Sequence, residues 1–175
     1  GETRVAATPD TVKKYIAAGH KVVVQAGAGV NASVPDANFS AVGASIVNDA
    51  ATAYASDIIL KVQAPTAEEI ALIKDGATVV AMCDPYRNAN LPAFAAKNAQ
   101  CFALELLPRT LSRAQNMDVL SSQSNLAGYK SVLLAANEYQ RPFPMFMTSA
   151  GTVKPARVVI MGVGVAGLQA IATAK

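Results

Sequence analysis

A single histidine, His20, and two widely separated cysteines, Cys83 and Cys101, are all that this 175-residue chain holds of those residue types. One imidazole cannot support several chemistries at once, and no Ser-His-Asp arrangement, Cys-His pair or metal-ligand cluster is visible in the spacing. His20 stands between a helix-ending glycine and a strand, the position of a surface turn residue rather than of a catalytic base. Both cysteines lie in apolar, strand-like runs without a short spacing between them, which reads as two buried thiols in a reducing compartment. Charge is scarce as well. Only 15% of residues are charged, and the net +3 comes from 15 basic and 12 acidic side chains with no run of one sign, so no nucleic-acid partner is indicated. No basic segment followed by a continuous apolar one opens the chain, and no signal peptide is expected. The uncharged run from Val158 to Ala174, VVIMGVGVAGLQAIATA, falls just below a membrane-spanning length. Its glycines and β-branched opening predict a strand that turns into a helix.

What is present is 52% hydrophobic and patterned for a packed globular core. From Thr8 to Leu106 short helical and short strand-like segments alternate. TPDTVKKYIAAG carries Thr8 as N-cap, Pro9 at the first helical position and Gly19 just past the end. Strands are expected at KVVVQAG, DIILKVQ, ATVVAMC and QCFALEL, with helices at PTAEEIALIKDG and NLPAFAAKNA, a succession that implies parallel β-α-β units. A polar connection, LPRTLSRAQNM, precedes a long helical pattern from about Asp118 to Gln140. Along it Ser121, Ser122, Ser124 and Gly128 keep one side small, as for close packing against another element. Three prolines and a glycine in RPFPMFMTSAGTVKPAR mark a boundary, and a second α/β unit starts at Ala156. The absence of an initial Met and the stop at Lys175 within a helical pattern suggest a piece of a longer protein.

Three features could carry chemistry. Gly162, Gly164 and Gly167 form a G-x-G-x-x-G directly after a β-branched run and at the start of a helix. In a dinucleotide fingerprint the first glycine makes the turn, the second admits the pyrophosphate and the third lets the helix pack on the strand, with free N–H groups at the helix start facing the phosphates. The acidic residue that would hold the ribose falls beyond Lys175, so the choice between NAD and NADP is not readable. The second feature is RAQNMD. The Gln115 amide can donate to and accept from a carboxamide such as that of nicotinamide, while Arg109 or Arg113 can grip Asp118 in a two-point contact. An alternative stands beside it: Ser112-x-x-Gln115 has capping-box spacing, and Asp118 can cap the long helix. The third is Lys61, at the strand edge where open α/β sheets place ligands, as a partner for a substrate carboxylate.

With ETRVAATP, DIILKVQAP, SRAQNMDVLSSQSNLAGY and KPARVVIMGVGVAGL in view, the chain resembles the alanine dehydrogenase/transhydrogenase family along its whole length. The resemblance is to the NAD(H)-binding domain of the proton-translocating NAD(P) transhydrogenase alpha subunit. It implies two Rossmann-like parallel-sheet domains of α/β class joined by a long helix, the second only begun here. The expected division is an N-terminal α/β domain over 1–117, the helix over 118–140, a linker over 141–155 and the start of an NAD-binding Rossmann domain over 156–175. It further implies that Arg109, Gln115, Asp118 and Ser121 surround the nicotinamide, with Ser112 and Arg113 in the same cofactor-binding segment, and that Gly162, Gly164, Val165 and Gly167 form the glycine turn. The family reads two residues between its arginines where PRTLSRAQ has three, which leaves open whether Arg109 or Arg113 faces the nicotinamide.

The same resemblance implies NAD(H) on this chain and NADP(H) on a partner domain, a membrane domain in the same enzyme, a homodimer, and a peripheral place on the cytoplasmic or mitochondrial matrix side of the inner membrane. Alanine dehydrogenases pair a lysine like Lys61 with a catalytic histidine after the next strand. Here that region reads VAMCDPYRNAN. Direct hydride transfer between two nicotinamides needs no such base, so transhydrogenase is favoured over an amino-acid dehydrogenase or a non-catalytic dinucleotide-binding module. With one β-α unit of the nucleotide domain present, residues 1–175 alone are expected to bind NADH weakly or not at all.

Overall fold

The Thr8 hydroxyl accepts the Thr11 N–H at 3.4 Å and so caps helix α1 (Pro9–Ala17), with Pro9 in the first turn as expected. The helix ends where Gly19 takes φ +92°, a conformation open to glycine at little cost. The computed structural model describes residues 1–175, and these form two units, Gly1–Leu107 and Pro108–Lys175.

In the first unit, α1 is followed by β1 (Val23–Gln25), α2 (Asp36–Ala41), β2 (Ser45–Val47) and α3 (Ala50–Tyr54). Next come β3 (Ile58–Gln63), α4 (Ala67–Leu72), β4 (Thr78–Met82), α5 (Leu91–Ala96) and β5 (Gln100–Ala103). β1 and β2 pair in parallel, and β3, β4 and β5 form a separate parallel sheet in that order. Parallel neighbours require a crossover, and α4 and α5 supply it between successive strands of the larger sheet. The chain is thus α/β with parallel sheets.

Each sheet has its own core. Val79 and Ala81 on β4 are fully buried, two residues apart on one face, and meet Ile59, Ile70, Ile73 and Phe94. Val12, Phe39 and Ala44 form the second cluster, closed by half-buried neighbours such as Ile16, Val24 and Ile46. The residue pattern carries no sign of β2 as a strand: SIV is three residues long and becomes one only by pairing with β1, Val24 opposite Ile46.

The second unit contains a short helix α6 (Ser112–Gln115), the long α7 (Val119–Tyr139), an antiparallel hairpin β6 (Phe146–Thr148) and β7 (Gly151–Val153), and α8 (Val165–Ala174). Two expectations change here. The segment read as a linker, 141–155, contains the β6–β7 hairpin with Phe146 opposite Val153. The β-branched run 158–161 is not a strand, because no neighbouring strand supplies ladder bonds, and Val159 and Met161 stand 86% and 96% exposed. No helix is long and apolar enough to cross a membrane.

Ile70 on α4 is 1% exposed inside the larger core. Ile70→Ala should lower the unfolding free energy of the first unit by about 2–5 kcal/mol, read from urea unfolding followed by circular dichroism. A loss below about 0.5 kcal/mol would refute that core assignment.

Candidate functional site

The glycine turn and the start of α7 meet in an open cleft of about 360 Å³ within the second unit. Arg109, Ser121 and Ser124 line one side, and Met161, Gly162, Gly164, Val165, Ala166 and Gly167 the other. Each glycine has its own reason. Gly162 holds φ +100°, a left-handed conformation in which an L side chain is strained. A Cβ on Gly164 would meet nothing within 4 Å, so the backbone there is open to a close-fitting group. A Cβ on Gly167 would lie 2.0 Å from the Gly162 carbonyl oxygen, so the third glycine lets α8 close onto the turn itself; Ile160 of the preceding segment is next, at 3.7 Å. Gly164 is the N-cap of α8 and gives no side-chain cap, which leaves the N–H groups of the first turn available to an anion.

On the facing side Asp118 caps α7. Its carboxylate accepts the Ser121 N–H at 2.9 Å and the Ser121 hydroxyl at 2.6 Å. These two bonds from Ser121, helped by the positive charge of Arg109, hold the Asp118 carboxyl below the usual carboxylate range. The two-point grip of an arginine on Asp118 is not formed, because Ser121 takes the carboxylate instead. The Ser112–Gln115 capping box is not formed either: Leu111 is the N-cap of α6, without a side-chain hydrogen bond.

The cleft therefore gathers Arg109, Ser121, Gly162, Gly164, Val165 and Gly167, and Asp118 joins through Ser121. Ser112, Arg113 and Gln115 sit exposed on α6 and do not line it. Ser124 is a lining residue that the reading of the sequence does not mark as a site. Its signal is the i, i+3 spacing from Ser121, which places both on one face of α7, while Ser122 turns back to the Asp118 carbonyl at 3.3 Å.

The isolated groups of the first unit are accounted for locally. Lys61 donates to the Glu69 carboxylate at 2.6 Å and to the Tyr54 hydroxyl at 2.8 Å. Burial opposes charge on Glu69, yet bonds from Lys61, the Thr66 N–H and Tyr54 outweigh it and lower its pKa. The Lys61 charge is thus already matched by a carboxylate of the same unit. Glu69 also closes a capping box with Thr66 at the start of α4. His20 is exposed, in the turn after α1. Cys83 is buried with its sulfur 2.9 Å from that of Cys101, and both are free thiols. Burial first, then Cys101 and Glu105, push the Cys83 thiol up to about 12, which keeps it protonated and unreactive at neutral pH.

Comparison with known proteins matches residues 1–127 to the family described as "Alanine dehydrogenase/PNT, N-terminal domain" and residues 131–175 to its C-terminal domain. The chain belongs to the alanine dehydrogenase/PNT family. It is 54% identical to the first part of the NAD(P) transhydrogenase alpha subunit of Rhodospirillum rubrum, over all of its own length and 47% of that protein. Alanine dehydrogenase of Halomonas elongata is more distant, 32% identical over 95% of this chain and 45% of the relative. Among solved structures, transhydrogenase from Sinorhizobium meliloti superposes with a TM-score of 0.93 at 52% identity, covering 99% of this chain and 52% of that one. An L-alanine dehydrogenase superposes with a TM-score of 0.83 at 26% identity, over 99% of this chain and 48% of that one. The chain spans about half the length of these relatives.

A carboxyl with a lowered folded pKa stabilises above its unfolded value, and that contribution is lost as pH falls through the folded value. In this family member Asp118→Asn removes the titration while leaving an acceptable N-cap. Thermal melts from about pH 5 down to about pH 2 should fall more steeply in the wild type than in the variant. Parallel curves would contradict the Asp118–Ser121 cap.

Proposed function

We propose that this chain supplies part of the NAD(H) site of an NAD(P) transhydrogenase, which passes hydride between NADH and an NADP held on a partner domain. The observation that carries the reading is the cleft that joins Arg109 and Ser121 to the glycine turn. The residues fit a dinucleotide. Gly164 leaves open space beside the uncapped start of α8, whose N–H groups and positive dipole end bind phosphate oxygens. Arg109 and Asp118 orient the nicotinamide end, Asp118 by fixing Ser121 through two hydrogen bonds, while Gln115, exposed on α6 outside the cleft, offers its amide to the carboxamide only if α6 turns toward it. Ser112 and Arg113 stand on α6, close in the chain to Arg109, and complete the cofactor-binding segment on this reading. When bound, the nicotinamide supplies the hydride chemistry, and this chain contributes orientation.

On this reading the second Rossmann-like domain is only begun in residues 156–175, α7 joins it to the N-terminal domain, and NADP-binding and membrane domains complete the enzyme. The protein works as a homodimer on the cytoplasmic or matrix side of the membrane, where proton movement is coupled to hydride transfer. Two observations support it over an amino-acid dehydrogenase: the segment after β4 holds no histidine, and Lys61 already has a carboxylate partner in Glu69.

A protein extended to the length of the relatives, mixed with its NADP-binding partner, should transfer hydride from NADH in stopped-flow absorbance. Turnover of pyruvate, ammonia and NADH would favour the amino-acid dehydrogenase instead, and NADH binding without transfer a non-catalytic module. Arg109→Ala should weaken NADH binding about tenfold or more, as expected for loss of a charged hydrogen-bonding group, and Arg113→Ala less than about threefold. The reverse order would assign the nicotinamide contact to Arg113.

A further inference from the structure

The face of α7 that presents Ser121 and Ser124 to the cleft continues to Gly128, which lines no part of it. Gly128 is buried, and a Cβ built on it would stand 2.1 Å from the Ala166 carbonyl oxygen, 2.9 Å from its carbonyl carbon and 3.0 Å from its Cα. All three are backbone atoms, which cannot swing aside as the end of a flexible side chain can. Ala166 is the second residue of α8, directly behind the turn at 162–164, and itself lines the cleft. A glycine on one helix thus touches the backbone whose N–H groups open the other.

We propose that Gly128 is a positioning residue for the dinucleotide: the missing side chain fixes how closely the first turn of α8 approaches α7, and so where the phosphate-binding N–H groups stand relative to Arg109 and Ser121. The inference rests on the dinucleotide reading of the cleft. An alanine at 128 has to push the α8 backbone away by about 1 Å, a displacement large enough to spoil a preorganised site. The loss falls on the phosphate seat. The reacting end of a nicotinamide lies beyond it, so affinity should suffer and saturated turnover should not.

The test uses the protein at the length of its relatives, with Gly128→Ala beside Val132→Ala. Val132 is the buried α7 residue one turn further on, and its truncation destabilises without pushing α8. NADH affinity is read by fluorescence, ADP-ribose affinity by calorimetry, and hydride transfer at saturating NADH by absorbance. Gly128→Ala should weaken NADH and ADP-ribose about tenfold or more and by the same factor, with saturated turnover changed less than about threefold. Val132→Ala should lower the melting temperature and leave both affinities within about twofold of the wild type. Affinities within twofold in Gly128→Ala, or equal losses in both variants, would overturn the proposal. Wild-type protein that binds neither ligand would overturn the dinucleotide reading and this inference with it. If Gly128→Ala does not fold, hydrogen exchange on the wild type decides: ADP-ribose should slow exchange in α7 over residues 126–133 as well as in the glycine turn, and protection confined to the turn would overturn it.

Discussion

Two carbonyl oxygens, those of Gly162 and Ala166, occupy the places where side chains at 167 and 128 would begin. That steric exclusion governs the second unit. It lets α8 fold back tightly on its own turn and lets α7 meet the backbone of α8 directly at Gly128. The two approaches flank the cleft: one lies within the turn at the uncapped helix start, and the other joins that start to α7, the helix that carries Ser121 and Ser124. The relevant contacts are made by backbone, whose placement does not depend on rotamers.

Local chemistry is readable where it is settled within a few residues of chain. Thr8 with Pro9, Asp118 as cap, and the three glycines of the turn all act over spans shorter than a helical turn or two, so composition and spacing suffice to find them. The parallel β-α-β order follows from alternation in the same way. What stays hidden depends on partners distant in sequence. β2 is a strand only because β1 lies 22 residues earlier, Val23 opposite Ser45. The run 158–161 has strand composition and no partner, and so is not part of a sheet. The β6–β7 hairpin sits among prolines that read as a boundary, and its pairing is confined to three residues on each side.

The site divides along the same line. The glycine turn and Asp118 are legible, whereas the choice between arginines is not, because α6 turns Arg113 and Gln115 to solvent while the preceding loop carries Arg109 to the cleft. Lys61 shows the converse. Sequence position alone puts an available cation at a strand edge, and the fold satisfies it with Glu69, a residue that also caps α4. One carboxylate therefore answers two local needs, and the strand edge where a substrate acid could have bound is internally neutralised.

The unpaired run before the glycine turn has a consequence for handling the molecule. Residues 158–161 make no ladder bonds, and Val159 and Met161 are almost fully exposed, so an apolar, β-branched run outside any sheet presents backbone that another strand can pair with. Such a run can pair with a strand of similar composition, including the same segment of another molecule. Lys154 and Arg157 are the charges standing beside it, and they act as gatekeepers against that association. Repulsion between these charges on neighbouring molecules opposes that pairing, and salt, which screens them, favours it.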